Sequence, residues 1–405
     1  MLPEPRAVMQ AVVEMAARRA DRCVLRAAFA LFACGLVISR GAVAVGCPFC
    51  GVVGESLAQR RDRAALVAVA EADGKAEPDA AGLPVQPFAV RQMIRGEIDG
   101  GGASRTIVAR VPAAVEGSAV VFGDPTEAVG RWLWSAIAAD ETVIGHVVAA
   151  PPVAEPAEQR LAWFAKRLEH PDPVIATDAF TEFGLAPYEA VRAAAGAFDA
   201  ERLRSWVRDG TGDQRRRGFY GLALGLVAAT RPSEREAAVT VLRDAISAPA
   251  DDFRAGFDGL LGGLLVAEGE AGLAFLDARG LFGAEARPVD QRHALAALRF
   301  AWESLADSLP RAAVAAATRR LLAAPVVAAD ATIDLARYRE WEAVDDVAAL
   351  WGTTGRDDPL VRRAVAGYLL ACPLPEARLR LEAIRAADPE RLEAAVQAAA
   401  LPAGR

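Results

Sequence analysis

Cys47-Pro48-Phe49-Cys50 is the one constellation in this chain whose residue types and spacing suit redox chemistry. In a thiol–disulfide site the first thiolate is activated at a helix N-terminus that follows a strand. No strand pattern precedes this tetrapeptide, so the stronger reading is a structural disulfide between Cys47 and Cys50, with redox chemistry as the weaker alternative. Haem attachment would require His after the second Cys, where Gly51 stands. Zinc would require two further ligands, and the histidines are His146, His170 and His293, widely scattered. No metal and no cofactor is implied.

The other chemical candidates are weaker still. Asp251-Asp252, Asp345-Asp346 and Asp357-Asp358 have the composition of acid–base dyads, but each falls at an expected loop or helix start, where capping and solvation account for it. Arg215-Arg216-Arg217 and Arg362-Arg363 would suit an anionic ligand on a helical surface, with salt-bridged or solvated faces as the plainer account. Trp132 and Trp134 alternate on an expected strand, so their rings share a face that either binds a ligand or covers a core. The Gly100-Gly101-Gly102 run lacks the Lys-Ser or Lys-Thr of a phosphate loop and reads as a hairpin turn. No catalytic residue is assigned.

The elements that position these residues begin after an address. Arg18, Arg19, Arg22 and Arg26 precede an apolar stretch from Ala27 to Ile38, and Ala42-Val43-Ala44 has the small-x-small form of a signal-peptidase site. That order predicts a secretory signal peptide over residues 1–44 and an exported chain, periplasmic or extracellular. The apolar core is short of the ~20 residues of a spanning helix. Cys47, preceded by Val45-Gly46, also fits a lipidated cysteine and hence envelope attachment.

From residue 45 to 150, short apolar runs alternate with Gly, Pro and Asp. Residues 64–70, 88–94, 106–111, 118–122 and 131–134 are expected strands, enough for a small barrel or sandwich. A Cys-x-x-Cys followed by five strands loosely resembles the netrin-type OB module of the tissue inhibitors of metalloproteinases. That resemblance would imply protease inhibition through an N-terminal cysteine, although Cys-Pro-Phe-Cys differs from the Cys-x-Cys of those inhibitors.

Pro151, Pro152 and Pro156 mark a linker over 151–156, with few contacts expected across it. Beyond it, residues 157–400 read as helix after helix. Leu161, Phe164, Ala165 and Leu168 have amphipathic spacing, and Ser233-x-x-Glu236 has the form of a capping box. Asp172, Asp213, Asp251, Asp290 and Asp330 recur at a period near 40, as in HEAT arrays, with a shorter step to Asp358. Ala179/Phe183, Tyr220/Leu224 and Val365/Leu369 stand on the faces each unit must bury. The expected fold class is therefore α+β and multidomain: a small β barrel or sandwich, OB- or netrin-like, followed by an α-solenoid of HEAT-like repeats.

Cys47-Pro48-Phe49-Cys50, Asp178-Ala179-Phe180 with Ala186-Pro187-Tyr188, Asp334-Leu335-Ala336-Arg337-Tyr338 with Trp341, and Ala371-Cys372-Pro373-Leu374-Pro375-Glu376-Ala377 together resemble an uncharacterised family of secreted proteins of planctomycete-type bacteria. The resemblance implies export and this architecture, and no activity.

Composition narrows the partner. Net charge is −7, and residues 1–44 contribute +3, from six Arg against Glu4, Glu14 and Asp21, leaving −10 on the remainder. An acidic chain of this kind is a poor nucleic-acid binder. The expected activity is noncatalytic binding of an extracytoplasmic protein or ligand through the repeat surface, which needs no special residues.

Overall fold

The computed structural model describes residues 49–50, 54–97, 105–127, 131–209, 213–250 and 253–400, all within one compact unit. The fold is mixed α+β, a small β barrel followed by a helical region. The expected signal peptide, Cys47, Gly100-Gly101-Gly102 and Asp251-Asp252 lie outside the described residues.

A short helix, α1 (Leu57–Arg63), opens with a capping box in which Ser56 accepts from Gln59 N while the Gln59 side chain accepts from Ser56 N. The strands follow: β1 (Leu66–Ala72), the two-residue β2 (Glu77–Pro78), β3 (Pro84–Arg95), β4 (Thr106–Arg110), β5 (Ser118–Pro125) and β6 (Trp132–Ala138). β1 pairs with both β3 and β5, β3 with β4, and β5 with β6, all antiparallel. A single parallel bridge, Arg110 to Ser135, joins β4 to β6 and closes a five-stranded ring in the order β1-β3-β4-β6-β5.

The alternation read in residues 106–111 is realised in β4, where Ile107 and Ala109 are buried between exposed neighbours. Phe88, Val121, Ala136 and Trp134 join them inside the barrel. Outside it, Val67, Val120 and Phe122 are covered by Val143 and Val147 of α2 (Glu141–Ala149) and by Ile175 further along. Barrel and helices thus share an apolar seam.

The helices after Pro156 are α3 (Ala157–Ala165), α4 (Pro173–Leu185), α5 (Tyr188–Ala193), α6 (Ala200–Arg208), α7 (Gln214–Thr230), α8 (Pro232–Ser247), α9 (Phe257–Glu268), α10 (Glu270–Ala278), α11 (Pro288–Ser304), α12 (Arg311–Arg320), α13 (Ala328–Tyr338), α14 (Val344–Ala349), α15 (Pro359–Ala371), α16 (Pro375–Ala387) and α17 (Pro389–Ala400). They form two layers. In one, α7 packs on α9 and α9 on α11, then α13 on α15 and α15 on α17, while the intervening helices make the other. The three expected face pairs are all buried, from Ala179 and Phe183 to Val365 and Leu369.

The aspartate frame holds in part: Asp172, Asp213 and Asp358 each stand immediately before a helix, α4, α7 and α15. Asp172 and Asp358 cap α4 and α15 with proline at the next position, as their chemistry requires. Asp290 and Asp330 instead sit inside the first turns of α11 and α13. The helices of the first layer begin at 173, 214, 257, 288, 328, 359 and 389, giving steps of 41, 43, 31, 40, 31 and 30 in place of a steady 40. The expected capping box at Ser233 is also corrected: α8 starts on Pro232, so its cap residue is Arg231, two positions before Ser233, and it makes no side-chain bond to the helix. Proline at the first turn already fixes that start.

At the centre of the first layer, α7 and α9 touch backbone to backbone. A Cβ added at Gly225 would lie 2.6 Å from Gly263 C and Cα, and one at Gly221 would lie 2.8 Å from Leu260 Cα. Only glycine permits so close an approach.

Candidate functional site

The densest polar constellation lies on α4, one turn apart, in a place the helix would otherwise fill with apolar side chains. Asp178 and Glu182 are both 4% exposed. Asp178 accepts from Leu57 N at 2.6 Å and meets His146 Nε2 at 2.7 Å. Glu182 accepts from Ser56 Oγ at 2.5 Å and is ion-paired to Arg160. The imidazole of His146 lies against Trp163, with centroids 5.1 Å apart.

A serine, a histidine and two carboxylates therefore gather at one spot, but not in a catalytic order. Ser56 Oγ donates a hydrogen bond to Glu182 and accepts one from Gln59 N, so the hydroxyl is held by its helix cap. Among the described residues His146 Nδ1 has no hydrogen-bond partner and Nε2 is on Asp178, so neither ring nitrogen is aimed at the serine. All five side chains are buried. What the cluster does is tie α1 and α2 to α4. This is more contact across residues 151–156 than the proline linker predicts, because the barrel's flanking helices dock their polar ends as well as their apolar faces. Burial, reinforced by Asp178 nearby, pushes the Glu182 carboxyl above its ordinary value against the opposing effects of Ser56 and Arg160.

The cysteine motif is placed differently from expectation. Cys50 is disulfide-bonded and Cys372 is a free, buried thiol at the end of α15, while Cys47 lies outside the described residues. Phe49 and Cys50, each 6% exposed, belong to the core of the helices, not of the barrel. The Phe49 ring meets Phe300 edge-on at 5.0 Å and occupies the space a Cβ at Gly262 would need. Among the described residues the first helix after Cys50 begins at Leu57, so no helix N-terminus of the described residues opens at Cys50 to activate a thiolate there.

The arginines divide. Arg216 is buried, bonded to Glu169 at 3.0 Å and to Thr177 Oγ1 at 2.9 Å, with the Tyr220 hydroxyl on the same glutamate. It fastens α7 to α4 and is no ligand group. Arg217 is half-buried and also engaged, and the Arg215 side chain lies outside the described residues. Arg362 donates to Gly355 O and Arg356 O at 2.6 and 3.0 Å, closing the turn before its helix. The tryptophans do share a face, but it is the inner one. Trp134 is a barrel core residue over Gly123, and Trp132 is exposed at the barrel end, with its ring centroid 6.3 Å away.

Arg363 is also engaged. It lines a depression of about 590 Å³ that crosses α13, α15 and α17, floored by Ala364, Gly367 and Tyr368 and edged by Ile333, Arg337 and Leu360. Leu360 and Ile333 are 64% and 41% exposed. A hollow of about 640 Å³ between Arg61, Ile94 and Pro151 is less available, since Arg61 already holds Val147 O and Ala150 O, and Asp62 holds Val153 N. Among the described residues no group of three or more His, Cys, Asp or Glu is placed to hold a metal ion, and no helix is long and apolar enough to cross a membrane. No family model, curated protein or solved structure matches this chain.

Proposed function

We propose that this chain is an exported, noncatalytic binding or scaffold protein that holds a partner on the surface of a HEAT-like helical array, with an OB-like barrel docked beside it. The observation that carries this reading is the open depression across α13, α15 and α17, where large aliphatic side chains stand in solvent beside arginines. Support for the array comes from the succession of helix pairs, each burying its inner face on its neighbours. The barrel order, with one parallel closure between its third and fifth main strands, agrees with an OB-like module. The polar constellation on α4 supports binding over catalysis, since it is spent on docking.

Photo-crosslinking in cells of the source organism from a photoreactive residue at position 360, followed by mass spectrometry of envelope and medium fractions, tests this. One recurrent adduct is the expected result; recovery of the chain without any adduct would sink the reading. The redox alternative through Cys47 and Cys50 is served less well by the burial of Cys50. Rapid labelling of mildly reduced native protein by a thiol probe at Cys50 would restore it.

A further inference from the structure

We infer that the depression across α13, α15 and α17 takes an extended, uncharged protein segment anchored by an aromatic side chain over Gly367. This rests on the binding reading above and names the chemistry of the partner. The precedent is the chain's own Phe49, which the other three helices of the first layer already hold. Its carbonyl oxygen lies against Gly218 of α7, where an added Cβ would be 3.2 Å from it, and its ring occupies the notch left by Gly262 of α9. The ring then meets Phe300 of α11 edge-on at 5.0 Å. One residue thus spans three helices, with its main chain on the first, its ring over a glycine of the second and its edge on the third.

Gly367 also stands on the middle helix of its three, and it also faces the third: among the described residues an added Cβ would meet only Ala399 Cβ of α17, at 3.8 Å. Tyr368 reaches the same floor, where its ring can serve an aromatic guest as Phe300 serves Phe49. Two helix spacings of about 8–10 Å each give the depression a length near 16–20 Å, which is roughly five to six extended residues. Side chains two positions from the anchor point the same way and meet Ile333 and Leu360 at the edges, so they are aliphatic. The charges at the rim do not select the guest, because each is already engaged: Arg337 is 3.5 Å from Asp334, Asp330 is 3.3 Å from Arg299, and Arg363 has a partner too. Apolar shape is what remains for recognition.

The test uses a fluorescein-labelled hexapeptide in which serine alternates with leucine, phenylalanine and leucine, in anisotropy titrations against the full chain. The peptide is expected to bind, and alanine in place of its phenylalanine should weaken it about tenfold or more, as for loss of one buried ring. Raising salt from about 0.05 to about 0.5 M should change the affinity by less than about twofold, since no free charge takes part. Binding should vanish in Gly367→Leu, whose side chain fills the notch. If Gly367→Leu changes the circular dichroism spectrum, Leu360→Ser at the exposed edge replaces it, with an expected loss of about threefold or more. Failure of the phenylalanine peptide to bind, equal binding of the alanine version, loss of binding at high salt, or binding unaffected by the groove variant each overturns the inference. So does concentration-dependent self-association that the groove variant abolishes, since the occupant is then a second copy. A crosslinked cellular partner that survives Gly367→Leu removes this groove and leaves the broader binding function standing.

Discussion

Gly225→Ala should destabilise the protein by about 2 kcal/mol or more, although alanine is the better helix former. The added Cβ would overlap Gly263 O and stand 2.6 Å from Gly263 C and Cα, where ordinary contact begins at 3.4 Å, so α7 and α9 must separate by at least 3.4 − 2.6 = 0.8 Å. Overpacking of this kind usually costs about 1–3 kcal/mol. The upper end applies, because both sides of the contact are backbone and no rotamer can turn away. A gap near 1 Å also forfeits a quarter to a half of each dispersion contact along the seam, which includes the fully buried Leu222, Leu260 and Leu264. The helix-propensity gain of about 0.8–1.0 kcal/mol offsets only part of this. Gly145→Ala is the control. Gly145 is exposed within α2, a Cβ there meets nothing within 4 Å, and the change should stabilise by about 0.5–1 kcal/mol. Urea denaturation of both variants measures the contrast. A Gly225→Ala protein within about 0.5 kcal/mol of the wild type would refute the rigid seam, since that is the range of neutral surface changes.

Three further outcomes follow from the buried groups. Asp178→Ala strands Leu57 N–H and His146 away from water, two groups at about 1–3 kcal/mol each, and should cost about 2–6 kcal/mol in urea unfolding; a loss below about 1 kcal/mol would mean that water replaces the carboxylate. Because the Glu182 carboxyl is raised above 4.5 by burial, its contribution to stability is complete below that pH and is lost as pH rises through the raised value, so between pH 4.5 and 7 the fall in urea midpoint should be shallower in Glu182→Gln; parallel profiles would assign the slope to other groups. Phe49→Ala should cost about 3–5 kcal/mol, and Gly262→Ala should be better tolerated in that background than in the wild type; additive effects in the double-mutant cycle would show that the ring does not fill that space.

Much of the architecture was legible because periodicity reports burial directly. The alternation of residues 106–111 and the face pairs from Ala179/Phe183 to Val365/Leu369 are each repeated in the core. Capping by Asp172 and Asp358 was legible for the same local reason, a carboxylate followed by proline. A constant period was not, because steps of 30 to 43 leave no fixed frame, and Asp290 meets Arg254 and Arg287 instead of capping a helix. The barrel-to-helix lock was hidden by distance along the chain: Ser56-x-x-Gln59 is visible as a cap, but nothing local says that its hydroxyl faces Glu182. One signal was present, since Asp178 and Glu182 stand on a helix face otherwise filled by Ile175, Ala179 and Phe183, and a carboxylate pair in such a stripe must find partners. The groove carried no signal beyond Leu360 and Ile333, because an exposed aliphatic residue looks the same in sequence whether or not its neighbours recede.

Phe49 sits in the helical core, and Ser56 bonds to a carboxylate 126 positions away. Such long-range closure slows folding, because the loop entropy is lost before the contacts form. Residues made early on the ribosome therefore wait for Gly262 and Phe300 to be synthesised and packed before Phe49 is buried. Until then an aromatic side chain and a cysteine are both presented to whatever meets the nascent chain, and that interval is when a chaperone or an oxidant would act on it.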